Sequence, residues 1–278
     1  MDLTQFIRES LQEDVGSGDH TSLSTIPSEK TGKAKLLVKD EGVIAGVELA
    51  KLIFYEIDPE IKINILLQDG AKVKSGDLAF TVEGSVRSIL MGERLVLNCM
   101  QRMSGIATTT AKYVAAVAGM PVKILDTRKT TPLFRHQEKW AVRIGGGFNH
   151  RIGLYDMILI KDNHVDSAGG IRAALERADK YRKENKLDIS IEIETRNLNE
   201  VQQVLEANIA DRIMLDNFQP ELIRDAVALI NKKVETEASG GITIENIQQY
   251  ASTGVDYISV GALTHSVKSL DLSLKIFN

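Results

Sequence analysis

Cationic and imidazole side chains gather in one stretch of an otherwise acidic chain, close to the ends of apolar runs. They belong to Arg128, Lys129, His150, Arg151 and Lys161. Two apolar runs, residues 122–125 and 157–160, end just before members of this group, and a glycine-rich segment leads into His150. Burying such charges without a counter-charge is costly, so a fold that brings them together needs an anion among them. We expect that anion to be the substrate.

Later apolar runs end in carboxylates and then in small residues. Glu194 follows the run at 189–193, and Asp216 follows the run at 212–215. Carboxylate oxygens suit Mg²⁺, either directly or through its waters. The last two runs end in small residues whose backbone amides can approach a phosphate. These small residues are Ser239, Gly240, Gly241, Gly261 and Ala262.

The pattern of predicted helices and strands that must position these residues changes near residue 98. Up to about residue 98, an amphipathic helix, strand-like runs at 34–38, 61–67 and 78–82 and a helical stretch near 47–56 predict a small mixed α/β sandwich domain. From residue 99 a long helix is followed by short apolar runs that alternate with helices. We assign residues 1–98 to the first domain and 99–265 to the second, with the tail 266–278 packing back on the first.

The second domain is predicted to be an open, incomplete parallel α/β barrel. Nearly continuous apolar strands that alternate with helices indicate a parallel sheet covered on both faces. Six such runs are present, whereas a complete barrel has about eight strands. The runs are residues 122–125, 157–160, 189–193, 212–215, 234–238 and 257–260.

Barrel geometry joins these strand ends into one site, because the carboxyl ends of all strands open into a common mouth. Cations, two carboxylates and a phosphate nest would meet there. Together they describe a site for a Mg²⁺ complex of phosphoribosyl pyrophosphate beside an anionic acceptor.

Composition agrees with an enzyme that acts on small anions. The 278 residues are 43% hydrophobic and 26% charged, as in a globular protein with a sizeable core. The net charge of -4 argues against a nucleic-acid partner, which needs a broad basic face. The N-terminus is acidic, and no apolar stretch approaches the roughly 18 residues of a membrane span, so we expect a cytoplasmic protein without a membrane partner.

Eight strings in one order carry a family resemblance that covers nearly the whole chain. They are GER at 92–94, QRMSGIAT at 101–108, DTRKTTP at 126–132, GGGFNHR at 145–151, IKDNH at 160–164, LDN at 215–217, EASGGI at 237–242 and VGALTHS at 260–266. The chain closely resembles the quinolinate phosphoribosyltransferase family, also called nicotinate-nucleotide pyrophosphorylase. The resemblance implies transfer of phosphoribose to quinolinate with decarboxylation, giving nicotinate mononucleotide, pyrophosphate and CO₂ in the biosynthesis of NAD. It also implies Mg²⁺ and a homodimer with shared active sites.

The resemblance also implies roles for individual residues. Those expected to hold the quinolinate carboxylates are Arg128, Lys129, His150, Arg151 and Lys161, with Arg94 reaching in from the neighbouring subunit. Glu194 and Asp216 would face the ribose hydroxyls and Mg²⁺. The residues expected to bind phosphoribosyl pyrophosphate are Glu194, Asp216, Ser239, Gly240, Gly241, Gly261 and His265. Lys129, Lys161, Glu194 and Asp216 would carry the chemistry.

Several alternatives stay open at the level of sequence. Arg128 and Lys129 could simply cap a strand, and Lys161 could form a Schiff base if its pKa were lowered. A related group associated with molybdenum transport loci, and a nonenzymatic anion-binding barrel, are alternative identities. Leu133 stands where glycine is usual in the family, and leucine tolerates positive φ poorly, so we expect a different turn there.

Overall fold

The computed structural model describes residues 2–277. Contacts divide the chain into two compact units. The first contains Met1–Ala111, Thr130–Gly146 and Ser266–Asn278, and the second contains Lys112–Lys129 and Gly147–His265. Residues 130–146, which the sequence pattern placed in the second domain, therefore lie in the first unit. The predicted domain boundary near residue 98 stays a prediction.

The elements alternate regularly along the second half of the chain. The helices are α1 Leu3–Val15, α2 His20–Thr25, α3 Val47–Ile57, α4 Val86–Ala116, α5 Arg135–Ile144, α6 Asp162–Ala168, α7 Ile171–Glu184, α8 Leu198–Ala207, α9 Pro220–Ile230, α10 Ile247–Ala251 and α11 Ala262–His265. The strands are β1 Thr31–Val38, β2 Gly42–Val43, β3 Lys62–Ile65, β4 Lys72–Val73, β5 Leu78–Ser85, β6 Lys123–Leu125, β7 Ile158–Ile160, β8 Ile191–Thr195, β9 Arg212–Asp216, β10 Glu235–Ser239, β11 Tyr257–Ser259 and β12 Leu272–Phe277.

The first unit contains an antiparallel sheet in the order β12-β1-β5-β3. One face of β1 is apolar at every second residue, and Ala34, Leu36 and Val38 are fully buried. The core continues into α3, where the Phe54 ring meets Phe80 of β5 edge-on with 6.5 Å between centroids. The C-terminal tail forms β12 and pairs with β1, so sheet and helix together bury the apolar face of this unit.

The second unit contains a six-stranded parallel sheet in the order β6-β11-β10-β9-β8-β7. Its two edge strands, β6 and β7, are not paired with each other in the described part of the chain, so the barrel is open. The predicted fold class is confirmed. Each predicted run coincides with a strand to within two residues at either end. No helix among residues 2–277 is both long enough and apolar enough to cross a membrane.

The local predictions were wrong at several element ends. The long helix α4 begins at Val86, well before residue 99. Residues 13–19 contain two glycines and two aspartates and are predicted to form a loop, yet α1 continues to Val15 and ends where Gly16 adopts φ 54°. His164 is predicted to lie in a loop or behind the site, yet it lies in α6, because the backbone N–H of Lys161 donates to Nδ1 of His164 and caps the helix start.

Leu133 adopts the left-handed conformation that leucine was expected to avoid. Its φ is 62°, and its side chain is 72% exposed. The turn at residue 133 therefore has a conformation that leucine tolerates poorly. The side chain packs too little to compensate for the steric cost of this conformation, which is about 1–2 kcal/mol for a residue with a Cβ atom.

Leu133→Gly is expected to raise the free energy of unfolding by about 0.5–1 kcal/mol, because the steric relief exceeds the extra unfolded-state entropy of glycine. Urea unfolding at constant m-value measures the change. Leu154→Gly is the matched control, since Leu154 is 71% exposed but is not among the residues with positive φ. The control should lower stability by about 0.4–1 kcal/mol. Equal losses in both variants would contradict the assigned strain.

Candidate active site

One cavity of about 800 Å³ in the second unit contains most of the residues selected from the sequence. It lies at the carboxyl ends of the parallel strands, where loops of such sheets bind ligands. The predicted residues that line it are Arg128, Lys129, His150, Arg151, Lys161, Glu194, Asp216, Ser239, Gly240, Gly241, Gly261 and His265. The structure therefore brings these twelve residues together.

A buried aspartate organises the cationic side of the cavity. Asp126 follows β6 and accepts hydrogen bonds from the Asn149 side chain at 2.6 Å and from the His150 backbone N–H at 2.9 Å. The segment before His150 also pairs with β6, since the Phe148 N–H donates to the Ile124 carbonyl at 2.8 Å. These bonds carry His150 and Arg151 to the same strand end that presents Arg128 and Lys129.

Arg151 is held deep in the cavity wall. Its side chain donates to the Met157 carbonyl at 3.2 Å, and the residue is only 9% exposed. Burial, and then the positive charge of Arg128, lowers the pKa of Arg151 from its ordinary value. Two guanidinium groups near each other at a buried site favour an anion between them, and their planar forks match carboxylates.

Lys161 and Glu194 form an ion pair across the ends of two neighbouring strands. Lys161 lies at the end of β7, and its Nζ is 2.5 Å from Oε1 of Glu194 on β8. The lysine side chain is 47% exposed, whereas that of Glu194 is 10% exposed. The ammonium group therefore remains accessible to a ligand while the carboxylate fixes its position.

Asp216 is fixed at the end of β9 by two donors. The Ser239 hydroxyl donates to Oδ1 at 2.6 Å, and the Asn217 amide donates to Oδ2 at 2.7 Å. Asn217 has φ 58°, a left-handed conformation that asparagine tolerates better than most residues. Gly240, which follows Ser239, has φ 90°. Its backbone also lies so close to Asn217 that there is no room for a Cβ atom.

Gly240→Ala is expected to lower the free energy of unfolding by about 2–4 kcal/mol, through overpacking and positive-φ strain together. An added Cβ would lie 2.2 Å from Asn217 Oδ1 and 2.9 Å from the Asn217 backbone nitrogen. Gly241→Ala is the control, because its φ is 63° but no atom lies within 4 Å of the added carbon. It should cost only about 1–2 kcal/mol. Urea unfolding compares the two, and equal costs would contradict the close approach at Gly240.

Two buried glutamates beneath the cavity mouth were not assigned a role from the sequence. Glu192 and Glu237 are both fully buried on the parallel strands. Oε2 of Glu192 is 3.0 Å and Oε2 of Glu237 is 3.5 Å from Nε2 of His150. The sequence did contain a signal for Glu192. Residues two apart on a strand face the same side, so Glu192 is predicted to share a face of the strand with Glu194.

The pKa values of Glu192 and Glu237 are both raised strongly. Burial raises the pKa of Glu192 to about 7. Burial and then the proximity of Glu192 raise the pKa of Glu237 to about 8, against the neighbouring charges of His150 and Arg212. An acid whose folded-state pKa lies above its ordinary value near 4.5 stabilises the fold fully below that value and loses the contribution as pH rises through about 8.

Between pH 5 and 8, stability is expected to fall by up to about 1.4 kcal/mol per pH unit through Glu237, and Glu237→Gln should remove this slope. Urea unfolding of both proteins at pH 5, 6, 7 and 8 measures the difference. Glu235→Gln, on the same strand with a 52% exposed side chain, should keep the wild-type slope. Parallel curves for wild type and Glu237→Gln would contradict the raised pKa.

Arg94 is the one predicted site residue that does not line this cavity. It lies exposed on α4. Its expected role requires contribution from a second chain, which the geometry of one chain does not test. The role therefore stays a prediction.

The carboxylates at the mouth are chemically suited to Mg²⁺. Glu194 and Asp216 both line the cavity and offer hard oxygen donors. Asp216 accepts one hydrogen bond on each oxygen, and a carboxylate has about four lone-pair sites, so capacity remains for a cation or its waters. Within residues 2–277 a separate three-residue group of metal-ligand type consists of His150, Glu192 and Glu237, all buried.

An open parallel α/β barrel with a cationic cavity, two carboxylates and a glycine edge defines the class of barrel enzymes that act on phosphorylated and carboxylated substrates. The family description "Quinolinate phosphoribosyl transferase, C-terminal domain" matches residues 106–275, and the N-terminal domain of the same family matches residues 19–104. The chain belongs to the quinolinate phosphoribosyl transferase family.

Individual relatives align along nearly the whole chain. A "Quinolinate phosphoribosyltransferase [decarboxylating] 2, mitochondrial" from Nicotiana glauca is 48% identical over 290 residues, covering 99% of this chain and 82% of the relative. A "Probable nicotinate-nucleotide pyrophosphorylase [carboxylating]" from Bacillus subtilis is 42% identical, covering 99% and 94%. The crystal structure of NadC from Streptococcus pyogenes superposes with a TM-score of 0.92 at 38% identity, covering 99% of this chain and 97% of that one.

Proposed function

We propose that the protein transfers phosphoribose from phosphoribosyl pyrophosphate to quinolinate and releases pyrophosphate and CO₂, giving nicotinate mononucleotide for NAD biosynthesis. One observation carries the proposal. A single cavity combines Arg128, Arg151 and Lys161 with two carboxylates and a glycine-lined edge. Family membership and full-length relatives at 42–48% identity support the same activity.

The acceptor site follows from charge. Quinolinate is a dianion at neutral pH, and a guanidinium group meets a carboxylate with two parallel hydrogen bonds. Arg128, Arg151 and Lys161 supply enough charge for two carboxylates, whereas nicotinate offers one. Lys129 lies between this region and the late glycines, since an added Cβ at Gly261 would lie 3.1 Å from its side chain. It is suited to face both the acceptor and a phosphate.

The transfer step joins the ring nitrogen of quinolinate to C1 of the ribose as the bond from C1 to the pyrophosphate oxygen breaks. Positive charge develops on the ribose, and Glu194 and Asp216 are suited to stabilise it. When bound, Mg²⁺ would supply positive charge against the leaving pyrophosphate. Ser239, Gly240, Gly241, Gly261 and His265 are suited to hold the 5′-phosphate.

Decarboxylation follows without another cofactor. The ring nitrogen is cationic after transfer and stabilises the electron pair that remains on the ring carbon when CO₂ departs. That carbon then takes up a proton, which the ammonium group of Lys129 or Lys161 can donate and then regain from water. Lys129 and Lys161 both line the cavity, and either ammonium group can stabilise the developing negative charge.

The assembly and location belong to the same proposal. A homodimer would let Arg94 of one chain reach the quinolinate site of the other. A cytoplasmic location is expected from the sequence, although the Nicotiana glauca relative is named as mitochondrial. The intact IKDNH string at 160–164 disfavours the molybdenum-associated group, and paired carboxylates opposite the cations disfavour a purely binding role.

Release of pyrophosphate tests the proposed activity. Purified protein with phosphoribosyl pyrophosphate should release pyrophosphate when quinolinate and Mg²⁺ are both present, and should lose turnover when the metal is chelated. Nicotinate in place of quinolinate is the acceptor control. Folded protein that releases no pyrophosphate with either acceptor would contradict the proposal and support the binding-only alternative.

A further inference from the structure

A layer of charged residues lies where parallel barrels usually place aliphatic side chains. Glu192 pairs in register with Arg212, and Met214 pairs with Glu237, so the glutamates of β8 and β10 flank β9. Both glutamate side chains have no exposed surface. Buried carboxylates of this kind are expensive to retain, which indicates a specific task.

The imidazole of His150 connects this layer to the cavity. Its Nε2 lies 3.0 Å from Glu192, and its Nδ1 accepts the Arg151 backbone N–H at 2.7 Å. An Nδ1 that accepts must be unprotonated, so the ring proton resides on Nε2 and points towards the glutamates. Both ring nitrogens therefore lie next to protein atoms. We infer that these neighbours, Glu192 and the Arg151 backbone, hold the orientation of the ring.

Glu237 is itself held in place by Arg212. Arg212 Nη1 lies 3.2 Å from Oε2 of Glu237, and Arg212 Nη2 lies 2.9 Å from Oε2 of Glu235. The Arg212 guanidinium also stacks 3.9 Å above the centroid of the Tyr257 ring. The Arg212 guanidinium thus holds Glu237 from one side and stacks on Tyr257 from another, as a rigid support beneath His150 requires.

We propose that Glu192, with Glu237 beside it, is a positioning residue for acceptor binding: it orients His150, which in turn fixes the backbone of Arg151 and so aims the Arg151 guanidinium at a substrate carboxylate. This inference rests on the proposed function. It adds an indirect role for His150, through Arg151, to the direct contact with a carboxylate that the sequence resemblance implies.

Glu192 is the cleaner of the two glutamates to test, because Glu237 lines the cavity and Glu192 does not. Glu192→Leu preserves approximate size but removes the carboxylate that lies 3.0 Å from His150 Nε2. It should raise KM for quinolinate about tenfold or more and leave KM for phosphoribosyl pyrophosphate within about twofold. Glu192→Gln keeps a polar side chain of the same length beside His150 Nε2 and should return the quinolinate KM to within about threefold of wild type.

Glu235→Gln is the matched control, because Glu235 contacts Arg212 but its side chain is 52% exposed and it does not line the cavity. Its quinolinate KM should equal that of wild type. An unchanged quinolinate KM in Glu192→Leu would overturn the proposal. So would equal changes in both KM values, or a fall in kcat that only follows the folded fraction.

A second readout does not depend on turnover. Nitrogen-15 NMR of histidine-labelled wild type, with His150 assigned by its loss in His150→Gln, should show the proton on Nε2. The Nδ1-protonated tautomer would overturn the proposal even if Glu192→Leu fails to fold. One tightly bound metal per chain that Glu192→Gln loses would also overturn it, in favour of a metal held by His150, Glu192 and Glu237. Absence of turnover in wild type, with the Nε2 tautomer present, would reject the proposed function but not the orientation of His150.

Discussion

Lys161→Met should lower kcat/KM for quinolinate by about a thousandfold while the protein remains folded. The change removes an ammonium group that lies 2.5 Å from Glu194 and is half exposed to the cavity. It leaves the carboxylate without its ion pair and removes one of the charges that the acceptor requires. Steady-state kinetics, with urea unfolding to confirm the fold, measures the result.

Lys183→Met is the matched control for Lys161. Its Nζ pairs with Asp179 at 2.6 Å, yet it lies on α7 away from the cavity lining. Activity should be unchanged in this variant. A Lys161→Met protein that retains more than about a tenth of wild-type kcat/KM would contradict the assigned role. Trapping of substrate on Lys161 by borohydride would instead support the Schiff-base alternative.

Arg94→Ala should lower kcat/KM for quinolinate by about a hundredfold, because the variant lacks the guanidinium that is proposed to pair with a substrate carboxylate. The residue is exposed on α4, so truncation removes no core packing. Retention of full activity by the purified variant would reject Arg94 as a substrate ligand.

Mixing inactive variants tests whether the site is shared between chains. Equal amounts of Arg94→Ala and Lys161→Met, after subunit exchange, should regain about a quarter of wild-type activity, since half of the dimers are mixed and each mixed dimer has one intact site. The control pairs Lys161→Met with Glu194→Gln. These two residues lie in the same cavity of one chain, so their mixture should regain nothing.

The parallel strands could be predicted from the sequence because they are buried on both faces. Apolar runs at 122–125 and 257–260 therefore marked β6 and β11 almost to the residue. Their polar ends then marked the site, because barrel geometry gathers the ends of all strands at one mouth. Strand ends alone predict that Arg128, Lys161, Glu194 and Asp216 lie together.

The features that escaped prediction depend on contacts between distant segments. The tail is predicted to pack back on the first domain, but its strand β12 depends on pairing with β1, more than 230 positions away in the chain. The start of α6 depends on the bond between the Lys161 N–H and His164. Glu192 has the strand periodicity of a site residue, but only the fold shows that it lies beneath His150.

Product analysis with quinolinate labelled at the carboxylate next to the ring nitrogen tests the central claim most directly. Protein supplied with phosphoribosyl pyrophosphate and Mg²⁺ should release one labelled CO₂ for each nicotinate mononucleotide formed, and nicotinate should give no product. Label retained in the nucleotide, or nicotinate consumed as readily as quinolinate, would contradict a cavity built for a dicarboxylate that is decarboxylated after transfer.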